Sequence, residues 1–355
     1  MSGCDSVASG GSVRLGYINL IISTYYAKNL KGGKSRLATK IENIEKNQLK
    51  INNDDFVKVV EMGNVIELLY MSKRNTQQTI KMLPGGDRYV VMTGAYKGEI
   101  REVVHHTSRA DQYKSLYRTF ANIRAIINSN VTDIHNLRWI TLTYAENMTD
   151  TKRLYTDFRD FNKRFQYHIK KLGYNKAEYI VVMEPQGRGA WHCHLLYIFD
   201  CKAPYIANET LASLWGHGFV TIKAIKDNMD NLGAYLTAYL GDMDIQEIAD
   251  EDLVIHTGDM VKSVEYEENG KKKKKYYLKG GRLPLYPANF NMYRCSRGVK
   301  RPIETMQTYE EAEKKVSAAT KTFEKLVKVS DTDTNFETII SKSQYNLLRP
   351  NKSIL

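Results

Sequence analysis

Residues 178–199, EYIVVMEPQGRGAWHCHLLYIF, constrain the fold more than any other stretch of the chain. Two runs rich in β-branched and aromatic residues flank PQGRG, whose glycines permit a reversal, so strands are predicted over 178–184 and 190–199, joined as a hairpin. Side chains alternate across a strand, which puts His192 and His194 on one face and Cys193 on the other. Closing the hairpin carries Glu184, at the end of the first strand, towards the two imidazoles. A hairpin alone is marginally stable in water, so more strands and a covering layer are required.

The flanking sequence supplies them. WITLTY (139–144) reads as a strand. A helix is predicted from near Asp150 to Gly173, because Leu154, Phe158, Phe161, Phe165 and Ile169 recur three or four residues apart. Further on come a short helix (208–215), a strand (219–225) and a helix (228–240), while the spacing of Tyr113, Leu116, Tyr117, Phe120, Ile123, Ile126 and Ile127 predicts an amphipathic helix leading in. This order places the central unit in the α+β class, a central antiparallel sheet with helices packed on one face. The chain exceeds what one core usually needs. We therefore expect an accessory, mixed or β-rich N-terminal region (1–110), the central domain (111–245) and a C-terminal extension (246–355). The extension begins with a hairpin signalled by Asn269-Gly270 between acidic and lysine-rich runs. Beyond Pro302 a charged helix and a loose polar terminus are expected.

A formal charge of +12 and a pI near 9.2 favour polyanionic partners. No stretch approaches the roughly 20 apolar residues of a spanning helix, which argues against membrane insertion. The four cysteines are scattered without a CxxC pair and read as reduced thiols of a cytoplasmic protein. GGKS (32–35) lacks the first glycine of a phosphate-binding loop, since Lys28 occupies that place, so no intrinsic helicase is expected.

Two elements carry chemistry. His192 and His194, with Glu184 as a third donor, make a mixed nitrogen and oxygen shell suited to Mg²⁺ or Mn²⁺. On the helix GAYLTAYLGD (233–242), Tyr235 and Tyr239 lie four residues apart and project from one face. A tyrosine can attack a polarised phosphate and retain it as an ester. Each element has a bland reading as well: strand histidines paired to polar neighbours, and tyrosines packed in a core. Asp242 and Asp244, just past the helix, are either additions to a metal shell or solvated acids. Basic side chains at Arg159, Lys163, Arg164, Lys170 and Lys171, and at Arg294, Arg297, Lys300 and Arg301, are candidates for phosphate contact.

Taken together, WITLTYAEN, EPQGRGAWHCH and GAYLTAYLGD resemble the three ordered motifs of HUH endonucleases, and more narrowly those of rolling-circle replication initiators of bacterial plasmids and integrative elements, related to the filamentous-phage initiator. The resemblance spans about 138–244 and extends loosely through 285–302. It implies metal ligation by His192, His194 and Glu184, attack by Tyr239 or Tyr235, and a 5′-phosphotyrosyl intermediate with a free 3′-hydroxyl. Origin DNA with a single-stranded or cruciform nick site would be the substrate, and a host helicase and polymerase the partners. Many relatives carry lysines one residue before and three after the nucleophile, where this chain has Ala238 and Asp242; Tyr239 is preferred because it matches the tyrosine following the first of those lysines. A relaxase or single-strand transposase of the same superfamily, or a non-catalytic nucleic-acid-binding module, are the alternatives.

Overall fold

The structure is a computed structural model that describes residues 39–74, 80–92, 96–103, 109, 113–223, 225, 231–237, 240–244, 261–268, 271–278, 281–331 and 336–350. Its chain divides into two compact units, Met1–His105 with Pro302–Leu355, and His106–Arg301. In chain order the first segment carries β1 (Thr39–Asn43), β2 (Phe56–Met62), β3 (Val65–Met71), β4 (Ile80–Met82), β5 (Arg88–Val91) and β6 (Ile100–Glu102). The second unit carries α1 (Tyr113–Asn130), β7 (Leu137–Tyr144), α2 (Thr151–Lys171), β8 (Glu178–Pro185), β9 (Trp191–Ile198), α3 (Asn208–Trp215), β10 (Gly218–Lys223) and α4 (Leu232–Thr237). It continues with β11 (Met243–Asp244), β12 (Val261–Glu268), β13 (Lys271–Leu278) and β14 (Tyr293–Cys295). The last segment returns to the first unit with β15 (Ile303–Thr308), α5 (Tyr309–Val316), β16 (Ala319–Asp331) and β17 (Phe336–Pro350). No helix among the described residues is long and apolar enough to cross a membrane.

The second unit is built on a five-stranded antiparallel sheet in the order β10-β7-β9-β8-β14. The expected hairpin is present, with Glu184 opposite His192 and Val182 opposite His194. Helix α2 starts where Asp150 accepts hydrogen bonds from the Lys152 and Arg153 N–H groups, and the chain leaves it through Gly173 at φ +85°. Its apolar stripe, Leu154, Phe158, Phe161, Phe165 and Ile169, is buried with Trp215 of α3 against Leu142, Cys193, Leu195 and Tyr197 on one face of the sheet. Part of the other face, including Ile180, Val182 and Leu196, packs against Ile123, Ile126 and Ile127 of α1 and Leu232 of α4. Helices thus lie on the face opposite the histidines, as the α+β layering requires, and two more cover part of the histidine face.

The contact between α1 and α4 is unusually close. Asn128 donates to Asn231 Oδ1 at 2.8 Å and accepts from the Gly233 N–H at 2.8 Å. The same Asn231 oxygen accepts from the Ala234 N–H at 2.8 Å, satisfying a free donor at the start of α4. A β-carbon at Gly233 would overlap the Arg124 carbonyl, so only glycine lets the two backbones meet.

In the first unit the ends of the chain share one sheet, ordered β1-β16-β17-β3-β2-β15. The loose polar terminus expected after Pro302 is instead the long β16–β17 hairpin, which pairs with β1 on one side and β3 on the other. Lys, Glu and Ser at many of its positions hid the alternation, and pairing on both flanks satisfies its backbone groups. Val57, Val59, Ile66, Leu68, Ala312, Val316 and Tyr345 form the core of this sheet with α5. The hairpin expected around Asn269-Gly270 places Glu267 opposite Lys272 and Glu268 opposite Lys271; its turn lies outside the described residues, as do the strand expected at 17–23 and GGKS.

Gly233→Ala should lower stability by about 1–3 kcal/mol through forced separation of α1 and α4. Thermal unfolding of the full-length variant checks this, and an unchanged melting temperature would contradict the close approach.

Candidate metal centre and its surroundings

Strand alternation and register bring Glu184, His192 and His194 together, with ligand atoms all within 4.8 Å of one another. Glu184 Oε2 lies 3.3 Å from His192 Nε2 and 3.1 Å from His194 Nε2. Two imidazole nitrogens and a carboxylate oxygen converging in this way fit a divalent ion of the Mg²⁺ or Mn²⁺ class. Cys193 does not join them. It is fully buried on the opposite face, where burial, followed by the charge of Asp157, pushes its thiol up to about 12.

Two further groups hold the carboxylate. Arg282 Nη1 donates to Glu184 Oε2 at 2.9 Å, and the Gly241 N–H donates to Oε1 at 2.7 Å. Burial of Glu184 works against its charge, but hydrogen bonds from His192 and His194, with the charges of His194 and Arg282, outweigh it and hold the carboxyl well below the usual range. His192 is pushed down to about 4, by burial first and then by the charge of His194, so its imidazole is neutral near pH 7 as a metal ligand must be. Thr141 Oγ1 lies 3.3 Å from His194 Nδ1 and can accept the proton of the tautomer whose Nε2 is free to ligate.

Sequence reasoning missed Arg282, Gly241 and Thr141. Arg282 follows Gly-Gly with no local signal. Gly241, at φ +81°, could have been read only as a turn residue after a helix. Its N–H nevertheless ties the segment that follows α4 to the buried carboxylate.

The other expected residues fall in different places. Tyr235 is on α4, but its side chain, like the whole of Tyr239, lies outside the described residues. Asp242 is buried rather than solvated, and Asp244 is on β11, opposite Tyr277. The basic residues of α2 belong to a helix packed on the face opposite the histidines. Among them Arg164 donates to the Leu214 and Trp215 carbonyls, and Arg159 and Lys163 pair with Asp160, so they stabilise the helix and its neighbours. Arg294 stacks 3.6 Å over the Tyr155 ring, and Arg301 reaches Cys295 Sγ at 3.2 Å.

Residues 137–244 match the family model of replication-associated protein ORF2/gene 2 protein. The matched span opens with β7 and closes with β11, and so contains the three candidate ligands and α4. It covers under a third of the chain and supports a role in replication initiation for this unit. No curated protein and no solved structure matches the chain.

Titration with Mn²⁺ followed by electron paramagnetic resonance should show a single site in the wild type. Glu184→Ala and His192→Ala should each weaken it by more than about 100-fold, beyond the 10–100-fold typical of outer-shell partners, while Cys193→Ala leaves it unchanged. Equal affinity in all four proteins would place the metal elsewhere.

Proposed function

We propose that this protein is a metal-dependent, site-specific single-strand DNA endonuclease and ligase that initiates rolling-circle replication. The observation that carries this is the convergence of Glu184, His192 and His194 inside the span that matches a replication-associated family. Neither half would suffice alone, since buried histidine–carboxylate clusters also occur as structural networks.

In this reading Tyr239 is the nucleophile, and Tyr235 serves as a second nucleophile or as its structural partner. The attacking hydroxyl loses its proton as its oxygen bonds to phosphorus; the bond to the 3′-oxygen breaks, and that oxygen takes up a proton. The phosphate is kept as a 5′-phosphotyrosyl ester, so the reverse attack by a 3′-hydroxyl reseals the strand without another energy source. A divalent ion held by the three ligands would neutralise a non-bridging phosphate oxygen and fix the phosphate for in-line displacement. The bond from the Gly241 N–H to Glu184 supports this assignment, because it ties the chain two residues beyond Tyr239 to the ligand set. Arg282 keeps the Glu184 carboxylate ionised and oriented. Origin DNA is the substrate, and a host helicase and polymerase extend the exposed 3′-end.

Incubating the protein with a supercoiled plasmid carrying its own element's origin, with Mn²⁺ or EDTA, should give a metal-dependent covalent adduct on denaturing gels. Tyr239→Phe should abolish the adduct and Tyr235→Phe should preserve the first nick. Origin binding without an adduct under any metal would replace this proposal with the non-catalytic binding module.

A further inference from the structure

The sheet face that carries the candidate ligands is only partly covered. Helices α1 and α4 bury the side formed by Ile180, Val182 and Leu196. Towards the β10 edge the face opens. Register pairs Phe219 with Thr143, Thr143 with His192, and His192 with Glu184, so these four residues form one row across β10, β7, β9 and β8. Directly opposed residues of neighbouring strands share a face. Exposure rises along the row from 2% at Glu184 and 8% at His192, through half-buried Thr143, to 67% at Phe219. The cluster is therefore approached from the β10 side.

An exposed phenylalanine by itself is ordinary. The row and its neighbours make this one informative. The next rows along the same face set exposed Thr221 opposite Thr141, itself opposite His194, and exposed Lys223 opposite Trp139. Lys223 Nζ lies 5.2 Å from the centre of the Trp139 ring. The open strip thus presents two aromatic rings, hydroxyls and a cation beside a candidate phosphate-activating centre. Phe219 makes no ring contact among the described residues. Two strand spacings, about 10 Å, separate it from His192, within reach of a base whose backbone phosphate lies at the cluster.

We infer that the β10–β7 strip is the binding platform for single-stranded DNA and that Phe219 stacks on a base flanking the phosphate that is cut. This rests on the proposed nicking function and identifies the residue that seats its substrate. Stacking on an aromatic ring is tolerant of sequence, because every base has a π-face, and the Lys223 charge attracts the backbone.

The test uses full-length protein and a fluorescein-labelled dT 20-mer, with anisotropy measured in Mn²⁺ and in EDTA. Phe219→Ala should weaken binding by about 5- to 150-fold, whereas Phe219→Trp should bind close to wild type. Phe56→Ala, which removes a phenylalanine 62% exposed in the first unit, should leave affinity unchanged. Mn²⁺ affinity and melting temperature should not move in Phe219→Ala, since the side chain is outside the ligand set and exposed. Several results would overturn the inference: no dT binding by wild type, equal affinity in Phe219→Ala, equal loss in Phe219→Trp, or a changed sedimentation coefficient in Phe219→Ala without loss of DNA affinity. The last would make the β10 edge a contact between copies of the chain. Failure of the wild type to bind Mn²⁺ would instead overturn the metal centre and leave the platform standing.

Discussion

The Glu184 carboxylate is the point on which the second unit turns. It is 2% exposed and receives His192, His194 and Arg282 at one oxygen and the Gly241 N–H at the other. A buried carboxylate is tolerated only when its lone pairs are met by donors and its charge by a cation, and here those partners come from three parts of the chain. The adjoining strand, the turn beyond α4 and the segment around Arg282 are held together by one side chain. The same concentration of donors gives the site its preorganisation: a group needed as a ligand is already ionised, oriented and surrounded by imidazoles.

Around that point the sheet separates two tasks. One face is given to packing, with the aromatic stripe of α2, Trp215 and the strand residues Leu142, Cys193, Leu195 and Tyr197 closing a continuous core. The other is divided. Helices α1 and α4 cover the side nearer β14, their approach secured by Asn128, Asn231 and Gly233, and the β10 side is left open with the candidate ligands at the boundary. An ion pair or ligand set at such a boundary is partly desolvated, which strengthens its electrostatics, yet remains reachable from the exposed edge.

Much of this was legible in the sequence because it depends on local periods. The helical spacing from Leu154 to Ile169, the strand at 139–144 and the hairpin with His-x-His all appear as expected, since a period of two or of 3.6 residues needs no distant partner to be recognised. Strands β16 and β17 were not legible. Their polar residues weaken the alternation, and they are stabilised by strands far away in the chain. The basic residues of α2 illustrate the opposite error, for their type suggested phosphate contact and their position on the far face gives several of them structural partners.

By itself the sequence determined that His192 and His194 share a face, that Glu184 ends the paired strand, and that the central unit alternates strands and helices in an antiparallel α+β order. These follow from backbone geometry over a few residues. Only the tertiary structure decided that Arg282, 98 residues from Glu184, and Gly241, 57 residues away, complete the carboxylate's environment. It alone decided that β10 lies at the sheet edge with Phe219 in the His192 row, and that the two ends of the chain share a sheet. Those outcomes depend on which distant segments meet. Satisfying buried charge and backbone donors selects among such meetings globally, and no local pattern encodes the choice.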